Sequence, residues 1–239
     1  MSAPLVQVHA DPEAVARAGV ARFVAAVRAA QAVRGRALVA LAGGSTPRRM
    51  HELLVSETLD WSRIDVWFGD ERCVEPTHAD SNYGSAHKAL LSRVPIPAAN
   101  VHRLRGECAP QHAADLAEAE LARVAGPFPQ SFDLLCVGMG ADGHTLSLFP
   151  GTSALAVRER AIVANHVPHL GGTGAYRLTF TLPVVHAARE VLYLVCGADK
   201  RPMVTAATAD QPGTTPPPAA LARSAHGSTV WLVDLAAAP

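Results

Sequence analysis

The chain has 239 residues, with 21 basic and 21 acidic side chains and no net charge at pH 7. This length suits one domain, 1–239, whose hydrophobic core needs no disulfide or metal for stability. The balanced charge argues against nucleic-acid and anionic-membrane partners, and neither a leader pattern nor an apolar run of roughly 18 residues is present, so we expect a cytoplasmic protein with no obligate protein partner.

Short apolar segments alternate with amphipathic ones along the chain. This alternation predicts an α/β fold, a single domain with a mainly parallel sheet covered by helices on both faces. Several segments are apolar throughout, as strands buried on both faces must be. The predicted strands are LVQVH (5–9), ALVALA (37–42), IDVWF (64–68), FDLLCV (132–137), AIVANHV (161–167), YRLTFTL (176–182), VLYLVC (191–196) and STVWLV (228–233).

The first helix has a clear start signal, because Asp11 can cap it and Pro12 suits its first position. QPGTTPPPAA (211–220) is the one low-complexity segment, and its prolines predict an extended surface loop. The remaining helices are predicted near 47–57, 81–93, 110–125 and 199–209.

The loop after the second strand has the features of an anion site. Gly43 and Gly44 allow a tight turn, Ser45 or Thr46 can cap the next helix, and Pro47 fits its first position. Free N–H groups and the positive end of the helix dipole would then favour a phosphate. An ordinary strand-to-helix turn explains the segment equally well.

Charged residues follow two further strands. Asp70, Glu71 and Arg72 come directly after IDVWF, and Lys200 falls in the first turn of the helix after VLYLVC. A cation is unfavourable at that end of a helix, so we expect Lys200 to reach towards an anion instead. Taken alone, the Asp70–Arg72 segment is more typical of a solvated loop, and SNYG after it is typical of a helix cap.

GMGADGHTLSLFPG (138–151) fits the dinucleotide pattern G-x-G-x-x-G in its first six positions. Pro150 and Gly151 stop any following helix early, and Glu159 does not lie at a strand end, where a ribose ligand belongs. The sequence therefore predicts no nicotinamide cofactor. His144 can reach a cleft here, and its ordinary pKa of about 6.5 suits proton transfer near neutrality, but one histidine among 11 cannot be selected by type alone.

These four segments share a position just past the carboxyl end of a predicted parallel strand. Open α/β sheets bind ligands at that edge, so the sequence predicts a single cleft. The chain has no paired-histidine metal spacing and no G-x-S-x-G motif, so we expect no metal and no other cofactor. The four cysteines are widely spaced and are expected to be reduced thiols.

In chain order, GGSTP, GDER, SNYG, GMGADGHTLSLFPG, the arginine of YRLTFTLP, GADK and VWLVD resemble the glucosamine-6-phosphate isomerase/6-phosphogluconolactonase family over nearly the whole chain. The resemblance is to its lactonases. It implies a modified Rossmann fold of the sugar-phosphate isomerase/deaminase type, without a nucleotide. It also implies metal-independent hydrolysis of 6-phospho-D-glucono-1,5-lactone to 6-phospho-D-gluconate in the pentose phosphate pathway. Ala141, Leu146 and the Glu75–Pro76 pair depart from the usual pattern in shape more than in chemistry.

By position, the resemblance makes His144 the catalytic acid/base and places Asp70 and Arg72 at the reacting end. Asp70 is expected to orient the imidazole, and Arg72 or N–H groups of 138–143 to stabilise the oxyanion. The residues that the resemblance assigns to the phosphate are Gly43, Gly44, Ser45, Thr46, Arg177 and Lys200.

Two alternatives share this pattern. A glucosamine-6-phosphate deaminase would have the same fold, but it carries a glutamate where this chain has Phe149 and an aromatic hydroxyl where it has Arg72. A non-catalytic sugar-phosphate sensor would keep the phosphate site and lose the base, whereas His144 and Asp70 are both present.

Overall fold

The structure is a computed structural model that describes residues 3–209 and 214–239. Six strands form one sheet whose neighbours all pair in parallel, which confirms the predicted α/β fold. The strands of the described residues are β1 (Leu5–His9), β2 (Ala37–Leu41), β3 (Ile64–Phe68), β4 (Asp70–Arg72), β5 (Leu134–Val137), β6 (Ile162–His166), β7 (Tyr176–Phe180), β8 (Glu190–Val195) and β9 (Ser228–Asp234).

The parallel sheet has the order β1-β9-β8-β5-β2-β3. In β3 and β5 every residue is buried. Successive residues of a strand point to opposite faces, so both faces of the sheet are covered at β5 in its interior and at the edge strand β3.

A second, antiparallel sheet has the order β4-β7-β6. The prediction of a loop at 70–72 is wrong, whereas the predicted strands β6 and β7 are present and belong to this second sheet. Only the nine residues 167–175 separate β6 from β7, whereas a parallel connection needs a dozen or more. Gly69 joins the two sheets, because its N–H donates to Leu41 O at 3.1 Å and its carbonyl accepts from Phe180 N at 2.9 Å.

Helices lie at all five places where the sequence predicted them, although the one predicted near 81–93 is an α-helix only to Ala86 and continues as a π-helix over His87–Leu91. Asp11 caps the first helix by accepting from Ala14 N at 2.8 Å. Two short helices after residue 180, α5 and α7, had no signal in the sequence. The helices of the described residues are α1 (Pro12–Arg34), α2 (Ser45–Leu54), α3 (Asn82–Ala86), α4 (Pro110–Ala125), α5 (Leu182–Ala187), α6 (Arg201–Thr208) and α7 (Pro218–Leu221).

The proline-rich segment 211–220 is only partly described, since 211–213 lie outside the described residues. Its last residues are not the predicted surface loop. Pro218, Ala219 and Ala220 are buried in α7, and Ala219 N donates to Gly143 O at 3.0 Å. This end of the segment is therefore hydrogen-bonded to the glycine-rich turn at 138–143.

Apolar side chains from both sheets and from the helices share one continuous core. Within it, Tyr193 stacks on Trp231 with ring centroids 3.8 Å apart. Phe180 of the small sheet packs against Phe132 with ring centroids 5.1 Å apart. Because one core serves both sheets, we propose that the chain folds as a single domain. Within the described ranges, no helix has the length and apolar character of a membrane span.

His51 is a buried histidine on α2, the helix that follows the predicted anion loop. Its residue is 2% exposed, and neither ring nitrogen has a hydrogen-bond partner among the described residues. Burial lowers the pKa of the imidazole to about 4. The side chain is therefore neutral in the folded protein well below the pH at which it is protonated in an unfolded chain.

We expect the free energy of unfolding to fall by about 2 kcal/mol between pH 7 and pH 5 because of this side chain. The unfolded state binds a proton below about pH 6.5 while the folded state does not, so acid favours unfolding. His51→Leu should remove this part of the pH dependence in urea unfolding at the two pH values. An unchanged difference would show that His51 is protonated in the fold.

Candidate active site

The loops after β2, β3, β5 and β8 meet in one cleft of about 380 Å³. These four strands are consecutive in the parallel sheet, so their carboxyl ends lie along one edge. Arg177 comes to the cleft from β7. The cleft is lined by every site residue selected from the sequence, namely Gly43, Gly44, Ser45, Thr46, Asp70, Arg72, His144, Arg177 and Lys200.

Asp142 holds the imidazole of His144 on the glycine turn. His144 Nδ1 lies 2.6 Å from Asp142 Oδ1, which also accepts the His144 backbone N–H at 3.1 Å. Burial raises the pKa of the Asp142 carboxyl, but the hydrogen bonds and charge of His144 outweigh burial and keep that pKa below its ordinary value. A carboxylate can only accept, so Nδ1 carries a proton, and in the neutral imidazole Nε2 has a free lone pair.

Phe149 covers one face of this imidazole. The two ring centroids are 4.0 Å apart and the rings are inclined by 21°. Phe149 is itself buried, so it restricts rotation of the imidazole and keeps water from that face. The phenyl ring offers no acceptor for a proton.

Asp70 does not orient the imidazole, and that prediction is wrong. Its Oδ1 accepts from Asn82 Nδ2 at 3.1 Å and its Oδ2 accepts from Ser147 Oγ at 2.6 Å. Asp142 lies two residues from His144 in the same tight turn and reaches the ring directly, whereas Asp70 is held on β4 by two other segments. Asp70 is therefore a fixed acceptor in the cleft wall.

The three glycines of the 138–143 pattern have different structural uses. A Cβ on Gly140 would overlap the His144 ring, and Gly143 has a left-handed φ of 80° that favours glycine. Gly138 has open space around it. Gly140 N donates to His144 O at 2.9 Å and Gly143 N to Gly140 O at 3.0 Å, so these two N–H groups cannot serve an oxyanion as predicted.

Arg72 and Arg177 form a cationic pair. They are direct partners in the β4–β7 ladder, which places both side chains on one face of the small sheet. Each guanidinium donates to a backbone carbonyl, Arg72 to Asp80 O and Arg177 to Gly174 O. Burial, followed by the charge of Arg72, lowers the pKa of Arg177. An anion between the two groups would relieve this repulsion.

Lys200 is the third cation of the cleft. It is the N-cap of α6 instead of lying in its first turn as predicted. Its Nζ lies 2.9 Å from Asp199 Oδ2, and Asp199 is largely exposed. The ammonium group is thus paired at the surface but still borders the cleft.

The N-terminus of α2 forms the predicted cradle with a different cap. Gly44, with a φ of 101°, is the N-cap, and no described side chain caps the helix. Ser45 and Thr46 are its first two residues, and Pro47 is the third and not the first. Ser45 and Thr46 line the cleft, and the first N–H groups of a helix have no partner within the helix, which is the arrangement that favours an anion.

Several residues of the site had not been selected from the sequence. Asp142 could have been found, because a short carboxylate two residues before a histidine in a turn can bond to it. Phe149 and Ser147 had no such signal, since their place depends on how the chain turns after His144. Asn82 was interpreted only as part of a helix cap.

Known proteins resemble this chain over most of its length. Residues 10–231 match the family model described as glucosamine-6-phosphate isomerases/6-phosphogluconolactonase. The chain is 38% identical over 237 residues to the 6-phosphogluconolactonase of Synechocystis sp., a match that covers 97% of this chain and 96% of the relative. It is 35% identical over 204 residues to that of Haemophilus influenzae, with 83% and 85% covered.

Solved structures have a similar fold. The 6-phosphogluconolactonase of Trypanosoma brucei superposes with a TM-score of 0.88 at 28% identity, covering 99% of this chain and 98% of the other. A monomeric glucosamine-6-phosphate deaminase superposes with a TM-score of 0.79 at 16% identity over 98% of each chain. That second likeness shows a shared fold alone.

Gly140→Ala should displace the imidazole of His144 while the fold survives, because the added Cβ meets the ring and not the backbone. The proton shared by His144 Nδ1 and Asp142 Oδ1 should give a downfield proton NMR signal that Gly140→Ala abolishes. Gly138→Ala is the matched control, since a Cβ has room there, and it should keep the signal. Loss of the signal in both variants, or in neither, would contradict this use of Gly140.

Proposed function

Because the chain belongs to the family of glucosamine-6-phosphate isomerases and 6-phosphogluconolactonases, and its activity is lactone hydrolysis of the 6-phosphogluconolactonase kind in the pentose phosphate pathway, we propose that His144 is its general acid and base. The observation that carries the proposal is the Asp142–His144 pair. It leaves Nε2 as a base in a cleft lined by three cations.

The reaction needs two proton transfers, and one imidazole performs both. Nε2 of His144 takes a proton from water as the water oxygen attacks the lactone carbonyl. The imidazolium, stabilised by Asp142, then gives this proton to the ring oxygen as the tetrahedral intermediate collapses to the hydroxy acid. Arg72, Arg177 and Lys200 together create a positive potential that favours the oxyanion.

The phosphate of the substrate binds at the cationic side of the cleft. Arg177 and Arg72 lie side by side there, so we propose that Arg72 shares the phosphate with Arg177 in addition to its effect on the oxyanion. The uncapped N-terminus of α2 and Lys200 supply further donors. A dianion suits this arrangement because charge-assisted bonds to phosphate are the strong ones.

The deaminase alternative is disfavoured by the surroundings of His144. Phe149 takes the place that a glutamate has in the deaminases and stacks on the imidazole. A phenyl ring can neither relay a proton nor change the histidine pKa by charge.

We also propose that the protein acts in the cytoplasm, since its four cysteines are free thiols, which fits a reducing compartment.

The purified protein should hydrolyse 6-phosphogluconolactone well above the spontaneous rate and release no ammonia from glucosamine 6-phosphate. His144→Ala should lower kcat by about 10²- to 10⁴-fold with little change in KM, because it removes a proton carrier and not a phosphate ligand. The measurement is a coupled assay of 6-phosphogluconate formed from freshly made lactone.

His169→Ala is a suitable control. The His169 ring packs edge-on against Phe149, with ring centroids 5.7 Å apart, but His169 takes no part in the proposed proton transfers. It should retain kcat within a few-fold. A His144→Ala enzyme as fast as the wild type would remove His144 from the mechanism, and ammonia release without lactone hydrolysis would overturn the assignment.

Arg177→Ala and Lys200→Ala should raise KM for the phosphorylated lactone by about ten- to a hundred-fold and change KM little for unphosphorylated gluconolactone. Each charge-assisted bond is worth about 1.5–3 kcal/mol only when a phosphate receives it. Arg72→Ala should raise KM for the phosphorylated lactone in the same way and, because Arg72 also favours the oxyanion, should lower kcat on both substrates. A variant whose KM rises equally for both substrates would place that cation at the carbonyl end of the lactone.

A further inference from the structure

Tyr193 carries its one polar group into the apolar core. It lies on β8 directly opposite Val137, the residue before the glycine-rich turn at 138–143, and its side chain is fully buried. Its ring stacks on Trp231, so the hydroxyl is the part of the side chain that can form directed bonds. Burial raises the pKa of this hydroxyl, which keeps it protonated and able to donate.

The Tyr193 hydroxyl bonds to the backbone near both ends of α7. Its oxygen lies 3.1 Å from Ala219 O and 3.0 Å from Ala222 O. Carbonyl oxygens only accept, so the one hydroxyl proton is shared between them in a three-centre bond. Ala219 and Ala222 are buried, and buried acceptors that lose a donor cost stability. The hydroxyl therefore holds α7 in place against β8.

α7 is bonded in turn to the residue between Asp142 and His144. Ala219 N donates to Gly143 O at 3.0 Å, and a Cβ on Gly143 would come within 2.6 Å of Pro217 Cβ, so the two segments are in close contact. Because Gly143 joins Asp142 to His144, a shift of its peptide groups moves the carboxylate relative to the imidazole. The position of α7 thus sets the geometry of the pair.

We propose that Tyr193 is a positioning residue for His144, an inference that rests on the proposed function. Its hydroxyl fixes α7, and α7 fixes the turn that carries the imidazole. Tyr193 is fully buried, so it does not touch the substrate and acts only through these contacts. His186 Nε2 lies 3.0 Å from Leu221 O, so α7 keeps a side-chain anchor without the Tyr193 hydroxyl, whose loss should loosen α7 and not unfold it.

Tyr193→Phe removes only the hydroxyl. We expect kcat for 6-phosphogluconolactone to fall about ten-fold with KM nearly unchanged, because a displaced catalytic group slows the reaction while the proposed phosphate ligands Arg177 and Lys200 lie on other segments. The downfield proton NMR signal of the Asp142–His144 pair should weaken or disappear in the same variant. The measurements are the coupled lactone assay and the proton spectrum.

Trp231→Phe is the matched control for lost stability. It removes atoms from the same stacked pair, and the indole N–H has no hydrogen-bond partner among the described residues, so no bond to α7 is lost. Urea unfolding should show it destabilised at least as much as Tyr193→Phe, yet it should keep kcat and the proton signal. If both variants lose kcat in step with their stability, or if Tyr193→Phe keeps kcat and the signal, the proposal is wrong.

If Tyr193→Phe does not fold, hydrogen exchange in the wild type decides. The Ala219 N–H should exchange as slowly as the amides of β8, which would support the bond from α7 to Gly143, whereas the rate of an exposed amide would overturn the proposal. A wild type that hydrolyses no lactone above the spontaneous rate would overturn the proposed function. The proton signal would then still show whether Tyr193 positions the imidazole.

Discussion

The cleft depends on the parallel hydrogen bonding of β2 to its neighbours β3 and β5. β2 and β3 pair in register from Ala37 opposite Ile64 to Leu41 opposite Phe68, so the two strands end at the same level and their loops start side by side. β5 and β8 pair up to Val137 opposite Tyr193, which adds the glycine turn and Lys200. A slip of one residue would reverse every side chain of a strand and break up this edge.

The fold class and the position of the site could be predicted because both follow from local signals and one general rule. Apolar runs and glycine turns mark strands and loops, and parallel strands bring their carboxyl ends together. β4 could not be predicted in this way, because three polar residues become a strand only through pairing with β7 about a hundred residues later. Once β4 is a strand, Asp70 and Arg72 must face one side and Glu71 the other.

Three carboxylates near the cleft have different roles because their surroundings differ. Glu71 is buried, and it accepts from the N–H groups of Arg72, Asn82 and Tyr83; burial raises its pKa even though these bonds oppose the shift. Asp70 is held by side chains of two other segments, while Asp142 serves His144. The sequence favoured Asp70 as the partner of the imidazole. Asp142 is the partner instead, because the backbone of one tight turn brings its carboxylate to the His144 ring, and this backbone geometry could not be derived from the sequence.

The glycine pattern at 138–143 illustrates what such a pattern specifies. In a dinucleotide site a bare backbone lets the pyrophosphate approach, and here the bare Gly140 lets the imidazole of His144 approach. At Gly140 the missing Cβ leaves this space, and the segment that follows the pattern decides which group occupies it. In this chain no long helix follows; Leu146 adopts a left-handed φ of 54°, which is unfavourable for a leucine. The chain reverses there, so that Ser147 can reach Asp70 and Phe149 can lie against the imidazole, and the turn becomes part of the proposed proton-transfer site.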